Sequence, residues 1–214
     1  MKIDKIGYYF ITDSVITNVP VIEQVEKIVE SCLGVRFIQY REKRKSASEM
    51  AKELKEVKSI MPKDVALIMN DRLDLALTYC DGVHLGDDDI PVENAIEIAR
   101  NKLEWDEFVI GCSATNIDTV RKLNNLPVDY IGFGPVYRTA TKKVTVPETG
   151  LTGLKAGLAI AQHPVVAIGG INQDNLMSVL AAKPQGISAI SMVLKKDSID
   201  LEQVKIIQKE YGLP

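Results

Sequence analysis

Long apolar runs, paired cysteines and massed cations are all missing from this chain of 214 residues. Without an apolar stretch of membrane-spanning length, no segment reads as a transmembrane helix. The opening segment "MKIDKIGYYFITD" also lacks the apolar core of a signal peptide. Cysteine is scarce: Cys32, Cys80 and Cys112 are an odd, scattered set with no C-x-x-C pair. A disulfide framework is therefore not expected, and reduced thiols in a cytoplasmic protein are. The densest basic cluster, "REKRK" (Arg41 to Lys45), is too short for a nucleic-acid footprint in a chain of net charge -3. His84 and His163 are the only histidines, and neither pairs convincingly with a cysteine or serine for nucleophilic catalysis. His84, inside a strand-like run, reads as a satisfied structural residue, and His163 receives no role. Trp105 and the tyrosines form no stripe. Nor does any linker rich in Pro, Gly or Ser divide the chain, so residues 1–214 read as a single domain.

What remains is ordinary globular composition, 46% hydrophobic and 26% charged, with a strong internal rhythm. Short apolar runs recur: "YYFIT" (8–12), "RFIQY" (36–40), "VALIM" (65–69), "GVHL" (82–85), "FVIGC" (108–112), "DYIGF" (129–133), "VVAIG" (165–169) and "GISAIS" (186–191). They are mostly continuous rather than alternating, which predicts strands covered on both faces. Amphipathic stretches separate them. Val21 to Cys32 places Ile22, Val25, Ile28, Val29 and Cys32 at helical spacing. Ser46 to Ile60 opens on a Ser N-cap and sets Met50, Leu54 and Val57 on one side, and the last such stretch is Leu201 to Tyr211.

Eight strand–helix units in unbroken series predict an α/β fold, a compact (β/α)8 TIM barrel with its site at the C-terminal ends of the strands. A doubly wound open sheet is the competing architecture. It normally carries a Gly-rich dinucleotide turn near the N-terminus, and this chain has none.

The unusual polar residues sit where the predicted strands end. Gln39, Arg41 and Lys43 are spaced by two, so on an extended backbone they share a face. Phe37 lies lower on that face, while Ile38 and Tyr40 turn towards the helices. Amide, guanidinium and ammonium together suit a phosphate; alternatively the strand end is simply becoming solvated. Asn70 and Asp71 interrupt the next run, and Asp71 either caps a helix or faces a cation. "GDDD" follows on the adjacent strand. Asp71 and one of its aspartates suit Mg²⁺, which keeps few protein ligands and completes its shell with water and phosphate oxygens. "GPVYRTATKK" presents Thr139, Thr141, Lys142 and Lys143, either for a phosphate or as an ordinary loop. Gly169 and Gly170 permit close backbone approach to a ligand, or simply a tight turn. Loops after the seventh and eighth strands of such barrels frequently bind phosphate.

Taken in order, "YYFITD", "IQYREK", "NDRLDLAL", "DGVHLGDDD", "GCS", "DYIGFGPVYRTATKK", "VVAIGGI" and "GISAIS" resemble the thiamine-phosphate synthase family over nearly the whole chain. "Q-x-R-x-K", "N-D-R", "T-x-T-K" and "A-I-G-G-I" are specific as a set, though each alone is weak. The resemblance implies a transferase of thiamine biosynthesis. It would join 4-amino-2-methyl-5-(diphosphooxymethyl)pyrimidine to a thiazole phosphate, giving thiamine phosphate and diphosphate with Mg²⁺ as cofactor. It places Gln39, Arg41, Lys43, Asn70, Ser113 and Lys142 on the pyrimidine diphosphate, and Asp71 and Asp89 on Mg²⁺. Thr139, Thr141, Gly170, Ile190 and Ser191 would hold the thiazole phosphate. Arg41, Lys43, Ser113 and Lys142 count as catalytic.

Three positions depart from the family pattern. Asp87 replaces a usual glutamine, Arg138 a usual proline, and "SATN" a loop that commonly carries histidine. A sister branch, the thiazole tautomerases, is linked to that histidine and often lacks the N-D-R aspartate. Keeping Asp71 without the histidine favours the synthase over a tautomerase; a non-catalytic phosphate-binding barrel is a separate alternative. The expected partners are small-molecule substrates only, with neither nucleic acid nor membrane. A homo-oligomer is compatible with the sequence, which does not locate its interface.

Overall fold

The computed structural model describes residues 5–31, 34–139 and 147–213. Each apolar run becomes a strand in one parallel sheet: β1 (Gly7–Tyr8), β2 (Phe10–Ile11), β3 (Phe37–Tyr40), β4 (Ala66–Asn70), β5 (Gly82–Leu85), β6 (Val109–Ala114), β7 (Tyr130–Phe133), β8 (Val165–Ile168) and β9 (Gly186–Ser188). The order β1-β9-β8-β7-β6-β5-β4-β3-β2 would describe an open sheet if β1 and β2 were separate strands. They are two halves of one strand joined through Tyr9, whose N–H donates to Ile187 O at 2.9 Å. The first half pairs with the last strand (Gly7↔Gly186, Tyr8↔Ile187) and the second with β3 (Phe10↔Ile38, Ile11↔Gln39). That staggered double pairing closes an eight-stranded barrel, as the sequence rhythm predicts, and rules out the open sheet.

Strand alternation divides the core into two layers. Ile38, Tyr40, Leu67, Met69, Ile110 and Ile131 belong to the layer packed under the helices. Their neighbours Tyr9, Ile11, Phe37, Ile68, Tyr130 and Val166 fill the barrel interior. Both faces are buried, which is why the runs are continuous rather than alternating. Around the barrel run α1 (Val21–Ser31), α2 (Ala47–Ile60), α3 (Leu73–Tyr79), α4 (Val92–Ile96, continued as π-helix over Glu97–Lys102), α5 (Ile117–Leu123), α6 (Gly150–Ile160), α7 (Leu176–Ala181), α8 (Ile190–Val193) and α9 (Leu201–Glu210). The expected cap at Ser46 is a full capping box with Glu49. Cys32 lies outside the described residues.

The eighth run needs correcting. It leaves the sheet at Ser188, and Ile190 and Ser191 open α8 rather than ending a strand. The cause is its neighbour: β8 ends at Ile168, which pairs with Ser188, and Gly169 and Gly170 then turn away with φ of 98° and 65°. Past Ser188 there is no ladder to extend. A short antiparallel hairpin, β10 (Leu194–Lys195) with β11 (Ser198–Ile199), leads into α9. Among the described residues no helix is long and apolar enough to cross a membrane.

Candidate active site

A cavity of about 150 Å³ opens at the C-terminal ends of the strands, between Gln39 and Arg41 on one side and Ile168 to Gly170 and Ser188 to Ser191 on the other. It is several times the share of one water in the liquid, about 30 Å³, and polar groups converge on it. Its wall includes Gln39, Arg41, Lys43, Asn70, Asp71, Ser113, Thr139, Gly170, Ile190 and Ser191. Thr141 and Lys142 lie outside the described residues.

The basic loop after β3 is more constructed than strand alternation suggests. The strand ends at Tyr40, so Arg41 and Lys43 are presented by a folded loop, not by extended chain. Glu42, between them, is buried, and its Oε1 accepts from the N–H groups of Lys43 (2.7 Å) and Arg44 (2.8 Å). Burial alone would raise its carboxyl. The Ser14 hydroxyl, those two N–H groups and the Lys45 ammonium outweigh it and hold the group below the usual carboxylate range. Arg41 is fixed from the end of the first strand. Its N–H donates to Thr12 Oγ1 at 3.0 Å and its Nη1 to Asp13 Oδ2 at 2.6 Å. Asp13 in turn accepts from the N–H groups of Val15 and Ile16 through Oδ1.

Asp71 does not cap a helix. The residue at the start of α3 is Arg72, with no side-chain cap, and the Asp71 carboxylate pairs with Lys43 Nζ. Its backbone is left-handed, φ 67°, and its N–H donates to His84 O at 2.9 Å. The three aspartates after β5 separate by exposure. Asp87 and Asp88 face solvent, whereas Asp89 is partly buried and accepts from Gly86 N–H at 2.7 Å. Burial raises the Asp89 carboxyl, and the adjacent Asp71 carboxylate raises it further. Asp71 lines the cavity and Asp89 stands behind it, outside the lining. Among the described residues no three or more His, Cys, Asp or Glu side chains gather as a metal cage. Two mutually repelling carboxylates at the cavity rim, Asp71 in the lining and Asp89 behind it, nevertheless fit Mg²⁺, which takes one or two carboxylates and leaves its other positions to water and substrate.

Gly169 and Gly170 form the tight turn that is one of their two expected readings, and both line the cavity. A Cβ on Gly169 would fall 2.6 Å from Pro135 Cα, and one on Gly170 would fall 2.5 Å from Arg138 O. The backbone they approach is the protein's own β7–α6 loop, held by Tyr137 N–H to Gly169 O at 3.0 Å. Thr139 continues that loop to the cavity edge.

The cavity floor holds residues to which the sequence assigned no part in a site. Tyr9, His84 and Tyr130 all line it, and Ser188 brings a buried hydroxyl with no hydrogen-bond partner among the described residues. His84 is satisfied, as expected, yet it belongs to the cavity wall. The legible signal was Gly111 and Gly132 in neighbouring strands, since glycine inside a strand marks a close approach. Cys80 and Cys112 are free, buried and outside the lining, and burial pushes each thiol up to about 12, so neither supplies a thiolate.

Residues 8–193 match the family model described as thiamine monophosphate synthase. Among similar curated proteins, the thiamine-phosphate synthase of Persephonella marina is 40% identical over 96% of this chain and 97% of its own length. That of Clostridium novyi is 42% identical over 89% of this chain and 92% of its own. The solved structure of a thiamine phosphate pyrophosphorylase from Pyrococcus furiosus superposes with a TM-score of 0.84 at 32% identity, covering 98% of this chain and 97% of that one.

Proposed function

The chain belongs to the thiamine monophosphate synthase family, and we propose that it condenses 4-amino-2-methyl-5-(diphosphooxymethyl)pyrimidine with thiazole phosphate. The C–O bond between the pyrimidine methylene and the diphosphate breaks, the thiazole nitrogen bonds to that methylene, and diphosphate leaves. The observation that carries this reading is one cavity lined by Arg41, Lys43, Asn70, Asp71 and Ser113 from the earlier strand–helix units and by Thr139, Gly170, Ile190 and Ser191 from the later ones.

In this assignment Gln39, Asn70 and Ser113 orient the pyrimidine half while Arg41 and Lys43, joined by Lys142, hold the departing diphosphate. Arg41 is preorganised by Asp13 and Thr12, so little reorganisation accompanies charge development. Lys43 is shared between Asp71 and the incoming anion. Thr139 and Thr141 and the backbone around Gly170, Ile190 and Ser191 hold the phosphate of the thiazole. Asp71 and Asp89 are the residues that would hold Mg²⁺, which when bound supplies countercharge to diphosphate oxygens. An electron-rich aminopyrimidine supports positive charge on its methylene, so the step is dissociative and needs no protein nucleophile. Holding both reactants in one mouth contributes a further several kcal/mol, roughly, to lowering the barrier.

Purified protein incubated with both substrates and Mg²⁺ tests the reading. Release of diphosphate that depends on the thiazole phosphate is the expected result. Conversion of the thiazole tautomer without diphosphate release would make the protein a tautomerase, and saturable binding without turnover a non-catalytic barrel.

A further inference from the structure

Across the floor of the cavity five side chains from five strand positions form one hydrogen-bonded line. Gln39 Nε2 meets Tyr9 Oη at 3.1 Å, and Tyr9 Oη meets Tyr130 Oη at 2.6 Å. Tyr130 Oη then meets His84 Nδ1 at 2.9 Å, and His84 Nε2 meets Ser113 Oγ at 3.0 Å. The strand register builds this line. His84 pairs with Gly111 on β6, and Gly111 pairs with Tyr130 on β7, so the imidazole and the phenol meet over a residue without a side chain. A Cβ on Gly111 would collide with the Tyr130 ring, and one on Gly132 would lie 3.0 Å from His84 Cε1. The two glycines make room for the rings. Tyr9, Tyr130 and Gln39 are almost wholly buried, and the rings of Tyr9 and Tyr130 also contact Phe37.

Such a line has a direction. Each phenol carries one proton, and a neutral imidazole donates from one nitrogen and accepts at the other. With the Gln39 amide nitrogen donating to Tyr9, the arrangement that satisfies every contact in the line has Tyr9 give its own proton to Tyr130. The proton of Tyr130 then goes to His84 Nδ1. That leaves His84 with its hydrogen on Nε2, donating to Ser113 Oγ. The Ser113 hydroxyl hydrogen remains for a ligand in the cavity.

We propose that Tyr9 and Tyr130 are positioning residues: they transmit the orientation of the Gln39 amide to His84, fix its Nε2–H tautomer, and so present Ser113 to the substrate as a hydrogen-bond donor. The consequence for turnover rests on the synthase reading, in which Ser113 touches the pyrimidine half. The tautomer itself does not, and can be read without substrate.

The experiment is a long-range ¹H–¹⁵N spectrum of the full-length protein labelled with ¹⁵N-histidine, recorded without ligands near neutral pH. With only two histidines in the chain, a His163→Gln variant assigns the signals. The expected spectrum shows His84 as a single neutral Nε2–H form. In Tyr130→Phe the ring contacts survive but Nδ1 loses its donor, so a population with hydrogen on Nδ1 should emerge. In the same variant kcat for diphosphate release should fall roughly 10-fold, the equivalent of one hydrogen bond, with a smaller change in KM. Tyr9→Phe should shift the ring signals in the same direction by less. Wild-type His84 carrying its hydrogen on Nδ1, or ring signals unmoved by Tyr130→Phe, would overturn the proposal. Should one tyrosine variant fail to fold, the other still reads the transmission, and a wild-type His84 with its hydrogen on Nδ1 overturns the proposal by itself. Absence of diphosphate release from wild type, with the Nε2–H form present, would sink the synthase reading and leave the hydrogen-bonded line standing.

Discussion

Asp71 is the residue on which local conformation and proposed chemistry meet most closely. Its φ of 67° is in the left-handed region, where Asp and Asn are the side chains best tolerated after glycine. Asp71→Asn should therefore keep the turn, and its thermal midpoint should stay near that of the wild type while kcat falls at least ~10-fold, a typical effect of disturbing a metal site. Asp89→Asn should behave alike. Full turnover by both variants in metal-stripped buffer would remove Mg²⁺ from the account. Asp87 faces solvent, so Asp87→Gln should leave kcat within about twofold in the same assay, as expected for a surface change away from the site. Glu42 makes the opposite case, a charge kept for shape. Its carboxyl is held below the usual range, so the contribution is complete above the ordinary glutamate pKa and fades as pH falls through the lower folded-state value. Glu42→Gln should lose about 1–2 kcal/mol at neutral pH through weakened bonds to the loop N–H groups. Denaturation curves of the two proteins should converge in acid; a gap that persists or widens there would mean the charge is not what holds the loop.

At the scale of elements, strands β5, β6 and β7 form the part of the barrel most finely matched to its contents. Gly111→Ala puts a methyl group into the Tyr130 ring, and overpacking of this kind costs about 1–3 kcal/mol or more. Gly132→Ala comes closest to His84 Cε1, at 3.0 Å, which a shift of a few tenths of an ångström relieves. The denaturant midpoint should fall clearly more for Gly111→Ala, and equal losses would contradict this packing. These strands also show what was legible in the sequence. "FVIGC" and "DYIGF" declare themselves as buried strands through unbroken apolar content, and "GDDD" and "ND" mark the rim because carboxylates cannot remain in the core. The meeting of His84 with Tyr130, 46 residues away, is set by the stagger of the closed sheet, and local periodicity carries no information about stagger. The exit of the chain at Ser188 escaped for the same reason, since it depends on where β8 stops.

For the whole molecule, closure through the two halves of the first strand makes the cavity a property of the entire ring. Its walls come from both ends of the chain, Tyr9 and Gln39 opposite Ser188 to Ser191, so a ligand spanning it joins elements that unfolding would separate. Binding to the folded state alone stabilises by about 2.7 kcal/mol at a ligand concentration 100 times its Kd. Inorganic diphosphate stands in for the leaving group, and with Mg²⁺ it should raise the thermal midpoint of the whole protein in one transition. Without the ion, the paired Asp71 and Asp89 carboxylates repel the anion, and Lys43 stays engaged with Asp71. Diphosphate alone should then shift the midpoint much less, and Asp71→Asn should abolish most of the difference made by Mg²⁺. Because this measurement needs no turnover, it separates the electrostatic assignment from the chemistry. An equal shift with and without Mg²⁺ would show that Arg41 and Lys43 hold the anion unaided and that the two aspartates serve some other end.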